Sequence, residues 1–267
     1  MAAYYIAPKS SFDATADAIR AKTGSQASIE WTEDGFADAI EDIPSGISFS
    51  DYVTGAYPSG KVVVTPTANI PKYGISGRTA ITELTIDFAG TYWLTGRENI
   101  EQNTGLQRII IKNHTASGHT TLPDYAISGN ADLTQIIIRN TIGGTAQSGL
   151  CGNSALKIVD IEECTPNGFG NNCFYGNTVF DTLILRQSDS LCPVSNSTFL
   201  NTPFKSGGTG GTIYIPKTLY DKLGDGTSLD YKNATNWSMW DGYGTITWAQ
   251  IEGSQYESLT WWEEAAP

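Results

Sequence analysis

The sequence is short of charge, of histidine and methionine, and of long apolar runs. Charged residues fill only 16% of 267 positions, and there are 2 His and 2 Met. So little Lys, Glu and Arg leaves little material for the solvated faces of long helices. The net charge of −12 argues against a general affinity for nucleic acid or anionic membrane. No run approaches the roughly 20 apolar residues a bilayer-spanning helix needs, so membrane insertion is not expected. Met1 to Lys9 lacks the basic start and apolar core of a secretory signal, so the expectation is assembly in the host cytoplasm or exit by another route. Cys151, Cys164, Cys173 and Cys192 contain no CxxC pair. His114 and His119 share one loop, far in sequence from the cysteines, so neither a metal nor a cofactor is expected. The cysteines read as free, buried side chains; a disulfide between neighbouring coils, such as Cys151 with Cys173, stays open.

What is present is a repeat. The pattern Asn-x-x-Leu-x-x-Ile-x-Ile runs through Asn103, Leu106, Ile109 and Ile111, then Asn130, Leu133, Ile136 and Ile138. It returns as Asn153, Leu156, Val159 and Ile161, and as Asn177, Phe180, Leu183 and Leu185. An irregular first copy has Ile81, Leu84 and Ile86 with Arg78 in the Asn slot, and a last one has Asn201, Phe204, Ile213 and Ile215. Copies are 23 to 27 residues apart, a period that marks a solenoid in which each repeat gives one strand to a parallel stack. Leu-x-x-Ile-x-Ile puts the Ile pair on one strand face, which a single coil cannot bury. The Asn precedes the strand, where its amide can donate to one coil and accept from another. Asn103, Asn130, Asn153, Asn177 and Asn201 are therefore the candidate structural ladder.

These repeats resemble the BspA-type leucine-rich-repeat family, common in bacterial surface proteins and phage virion proteins. The resemblance covers about half the chain and implies a mainly β, leucine-rich-repeat parallel β-solenoid. Residues 10 to 43 read as two short helices, with Ser10 and Thr32 as caps, Gly24 stopping the first and Ile43-Pro44-Ser45-Gly46 ending the second. The wording from Ala16 to Ile43 is similar to a module near the start of tail-associated virion proteins of phages infecting gut Firmicutes. The expected organisation is a helical attachment module at 1–46 and a β-rich lead-in at 47–80. The solenoid follows at 81–216, then a Trp-rich cap and tail at 217–267. Ser206 to Gly211 is Gly-rich but lacks the Lys-Ser/Thr of a phosphate loop, so it reads as a hairpin or linker.

Positions between the inward Ile pairs should form outward columns. One holds Glu83, Arg108, Gln135, Ile158, Thr182 and Thr212; the next holds Thr85, Ile110, Ile137, Asp160, Ile184 and Tyr214. In a third, Asp87 should meet Lys112, and Glu162 should lie between Arg139 and Arg186. Ile110, Ile137, Ile184 and Tyr214 make an outward apolar stripe, the candidate contact surface for a partner, a homo-oligomer mate or the chain's own flanks. Five of the 7 Trp follow residue 236. Trp240, Tyr243, Trp261 and Trp262 are the candidate contacts to a receptor or glycan. Catalysis is not expected: Asp160, Glu162 and Asp181 cluster, but flanking Arg would hold Glu162 ionised where a general acid needs a raised pKa. The resemblance then implies a non-enzymatic virion protein, a fibre or appendage component. It would join other virion proteins through its N-terminal module and attach to a host-surface protein or glycan. A bacterial surface adhesin is the second reading, a carbohydrate-active enzyme the third.

Overall fold

The computed structural model describes residues 60–115, 121–142, 147–163, 168–223, 237–241, 243 and 245–264. The chain divides into two units, Met1–Ser48 and Phe49–Pro267, and the described residues all fall in the second. The expected helical hairpin lies outside them.

The second unit is a parallel β-solenoid. Its main sheet orders eight strands by sequence: β1 (Gly60–Val64), β3 (Ile81–Asp87), β5 (Arg108–Lys112), β7 (Gln135–Ile142), β8 (Ile158–Glu163), β9 (Thr182–Leu185), β10 (Gly211–Ile215) and β11 (Ile246–Gln250). A smaller parallel sheet stacks β2 (Ile75–Ser76), β4 (Ile100–Glu101) and β6 (Ile127–Ser128). Each long strand pairs with the next in the chain, so each repeat is one coil. Among the described residues, three four-residue helices, α1 (Lys217–Tyr220), α2 (Ser238–Asp241) and α3 (Trp261–Glu264), lie near the C-terminal end.

The register follows the repeat. Ile109 pairs with Ile136, Ile136 with Val159, Val159 with Leu183, and Leu183 with Ile213. Like therefore stacks on like, and these positions are buried. The core changes character along the stack. Aliphatic coils give way to Phe174, Phe180, Phe199 and Phe204, with the rings of Phe174 and Phe199 stacked at 5.3 Å. Trp237 and Trp240 then plug the end, their indole N–H groups donating to Cys192 O at 2.8 Å and Ser195 O at 3.1 Å. Burying these indoles leaves no polar atom unsatisfied.

The sheet is longer than the repeat. It begins at Gly60, inside the segment read as lead-in, because Val62 and Val64 fill the inward slots opposite Leu84 and Ile86. It ends with β11, inside the segment read as cap. The Gly-rich insertion is a tight, packed turn rather than a hairpin or linker. Gly208 N donates to Lys205 O, and a Cβ at Gly208 would lie 2.1 Å from Pro203 O.

Candidate functional site

The asparagine ladder comes first, because it fixes the coil spacing that aligns everything outside. The backbone N–H of Arg78, Asn103, Asn130 and Asn153 donates to the side-chain oxygen of Asn103, Asn130, Asn153 and Asn177 in turn, at 2.8, 3.0, 3.0 and 2.8 Å. Each of those four amides donates back to the preceding coil, at Ile75 O, Ile100 O, Ile127 O and Leu150 O. Each side chain thus both accepts from and donates to the preceding coil while fully or almost fully buried.

Asn201 does not join the ladder. It is exposed, with φ 57. The residue just before each ladder position is left-handed: Gly77, Gln102, Gly129, Gly152 and Gly176 all have positive φ. Asn201 occupies that left-handed slot and Thr202 the ladder slot. Thr202 Oγ1 donates to Phe199 O at 2.7 Å, as Asn177 Nδ2 does to Phe174 O at 2.9 Å. Asn is among the few side chains that tolerate this backbone, so the last repeat is offset by one residue.

The outward columns hold as far as the pairing runs. Glu83, Arg108, Gln135, Ile158, Thr182 and Thr212 are successive partners, as are Thr85, Ile110, Ile137, Asp160, Ile184 and Tyr214. The first column carries the polar chain: Arg108 contacts Glu83 at 2.8 Å and Gln135 at 2.7 Å. In the third column Asp87 pairs with Lys112 in register as expected, but the register shift after Ile138 takes Glu162 out from between the arginines. Asp160, not Glu162, lies between the two arginines. Arg139 reaches its carboxylate at 3.1 and 2.7 Å, and Arg186 reaches it at 2.8 and 2.9 Å. Glu162 instead accepts the backbone N–H of Asn140, and Asp87 accepts from Asn113.

The stripe is covered by the chain itself. Ile110, Ile137 and Ile184 form one cluster with Ile251, Tyr256, Trp261 and Trp262, and Tyr214 packs against it. Of the three covers expected for Ile110, Ile137, Ile184 and Tyr214, the chain's own flank is the one found, which corrects the partner-contact alternative: the segment 251–262 occupies the face. Asp160 is 0% exposed within this stripe and organises the attachment. Trp261 Nε1 donates to its Oδ2 at 2.6 Å. Burial favours the neutral acid, but the Arg186 and Arg139 hydrogen bonds outweigh it and hold the carboxyl below its usual range. The same guanidinium groups grip the segment's main chain. Arg186 donates to Tyr256 O, Glu257 O and Ser258 O, and Arg139 donates to Leu259 O. The Arg139 guanidinium also sits 4.8 Å from the centre of the Trp262 ring.

This geometry corrects the receptor assignment. Trp261 and Trp262 are 7% and 4% exposed beneath their own segment, and Trp240 is 2% exposed in the end plug. Of the four aromatic candidates only Tyr243, at 46%, reaches solvent. Sequence reading missed the roles of Asp160, Arg139 and Arg186. The available signal was a carboxylate inside an apolar column, flanked by arginines in the next. A second was the spacing of Ile251, Tyr256 and Trp261, which can lay apolar anchors along that column.

Cys151 and Cys173 form no disulfide, whereas Cys192 is disulfide-bonded, which corrects the reading of all the cysteines as free. Burial pushes the Cys151 thiol up to about 11. Among the described residues no group of three His, Cys, Asp or Glu is placed to hold a metal ion, and no helix is long and apolar enough to cross a membrane. No family model matches the chain, and no curated protein or solved structure matches it either.

Proposed function

We propose that the chain is a non-enzymatic structural component of a phage particle, a fibre or appendage subunit joined to the particle through residues 1–46 with its solenoid displayed outward. The phage assignment rests on the sequence resemblance. The observation that carries the non-enzymatic part is the use made of Asp160. It is the buried carboxylate nearest to a catalytic appearance, and five hydrogen bonds from Arg139, Arg186 and Trp261 commit it to holding the C-terminal segment on the face. A carboxylate held ionised and saturated in this way is a poor general acid. Together with the asparagine ladder and the indole plug, the attachment makes a stiff, closed rod suited to display.

Host contact in this proposal falls on side chains that reach solvent: Tyr243 and the neighbouring-coil pair Tyr175 and Leu200, which are 49% and 43% exposed. The disulfide at Cys192 favours a second reading, a bacterial surface adhesin, because disulfides persist outside the reducing cytosol. Density-gradient fractionation of a culture that makes the protein separates the two. The proposal expects the chain to sediment with intact particles; recovery with the cell envelope instead overturns it in favour of the adhesin.

A further inference from the structure

The face that holds residues 251–262 has the properties of a peptide-docking groove. Its grip is largely independent of side-chain sequence: Arg186 and Arg139 read four consecutive main-chain carbonyls, from Tyr256 to Leu259. Main-chain capture of this kind supplies affinity, and side-chain anchors supply specificity. The anchors are Tyr256 against Tyr214 at 4.8 Å and the Trp261 indole on Asp160. The ligand segment travels along the stack, from Tyr214 of β10 through Asp160 of β8 to Arg139 of β7.

The connection between rod and ligand segment is short: Glu252 accepts the Lys217 backbone N–H of the rod at 2.8 Å, and beyond it the bonds are local. Ile251 N is still tied to Ile215 O, so the segment leaves the sheet there. Gly253 follows with φ 77 and open space around its Cα. Gly253 N bonds to Glu257 and Ser254 Oγ to Ile251, both within the segment itself. Opening this turn breaks none of the groove contacts, which do not require groove and ligand to belong to one molecule.

We propose that the groove takes the C-terminal segment of a second copy in place of its own, so that neighbouring copies are joined by exchanged segments. An isolated chain favours the closed form, because its own segment is always at high effective concentration. Copies held side by side present each other's segments at comparable concentration. Only this setting rests on the particle reading; the exchange is a property of the chain alone.

Two full-length variants test it. Ile137→Lys puts a charge beneath the docked segment, leaving a donor whose own groove rejects it. Trp261→Ala with Trp262→Ala leaves a receptor with an intact groove and a weakened ligand. Mixed after purification, the pair should form a one-to-one complex by light scattering on a sizing column. Adding Trp261→Ala to the donor should weaken that complex about tenfold or more. No complex from folded variants overturns the exchange. Should either variant fail to fold, isotopically heavy and light unsubstituted chains are mixed, concentrated and diluted, then weighed by native mass spectrometry. Mixed dimers are expected, and monomers alone overturn the proposal. Loss of exchange would leave the particle assignment standing, since fractionation tests that separately.

Discussion

At the scale of single residues, two neighbouring slots in each coil have opposite demands. The ladder slot needs an amide that can donate and accept at once; the slot before it needs a backbone that accepts positive φ. Asn serves either, which is why Asn201 could be placed in the wrong slot from spacing alone. The two roles separate on substitution. Asn130→Ala and Asn153→Ala should each cost about 1–3 kcal/mol, because buried backbone groups lose their partners. Asn201→Ala should cost about 1 kcal/mol, and Asn201→Gly should be neutral or better, because Gly enters the left-handed region freely. Urea denaturation of these four variants and of Asn153→Gly checks this: rescue by Gly at position 201 but not at 153 is the expected contrast.

Asp160 makes the other residue-scale prediction. Asp160→Asn removes the charge that both guanidinium groups share and should cost about 3–5 kcal/mol, the range for breaking a buried ion pair from one side. The Arg186 and Arg139 hydrogen bonds hold its folded pKa below the ordinary carboxylate range. The stability it contributes is therefore full above about pH 4 and falls as pH drops through the lower folded value. Fluorescence from Trp261 and Trp262 should stay native from neutral pH down to about 4 and shift to exposed-indole emission only below that. A shift centred near pH 6 would contradict the depressed carboxyl.

At the scale of elements, the strands were legible and the clasp was not, for one reason. Strand position is written into a period-2 pattern that repeats within 27 residues, so Leu106, Leu133 and Leu156 announce each other. The clasp joins Trp261 to Asp160 across 101 residues and Arg139 to Leu259 across 120, and no local pattern encodes such pairs. Alternation marked Ile110, Ile137 and Ile184 as outward, and outward they are; what alternation cannot say is which segment lies on top. β1 falls in the β-rich lead-in at 47–80, but its place in the stack was not legible because Val62 and Val64 come without the preceding Asn. The ladder ends with Arg78, whose backbone N–H needs an acceptor but whose side chain is not asked to be one. If the clasp is a separate element, Trp261→Ala should remove a large packed side chain at a cost of about 3–5 kcal/mol, borne by segment docking first. Hydrogen exchange should then quicken at Tyr256 to Trp262 while amides of β5, β7 and β8 keep their protection. Uniform loss of protection would mean that segment and solenoid unfold as one unit.

At the scale of the whole molecule, three devices hold the described solenoid. The solenoid is stiffened from within by the ladder, closed at one end by Trp237 and Trp240, and sealed along its outer face by its own C-terminal segment. Residues that look available for chemistry in the sequence are occupied with holding this shape. In the proposal made above, attachment to the particle falls on the N-terminal stretch rich in Ala and Asp that ends in Pro44-Ser45-Gly46. Deleting residues 1–46 and asking whether the chain still joins particles tests this claim most directly. The account predicts a soluble chain with unchanged β-sheet circular dichroism that is absent from gradient-purified particles. Normal incorporation of the deleted chain would contradict it and move the attachment surface onto the solenoid itself.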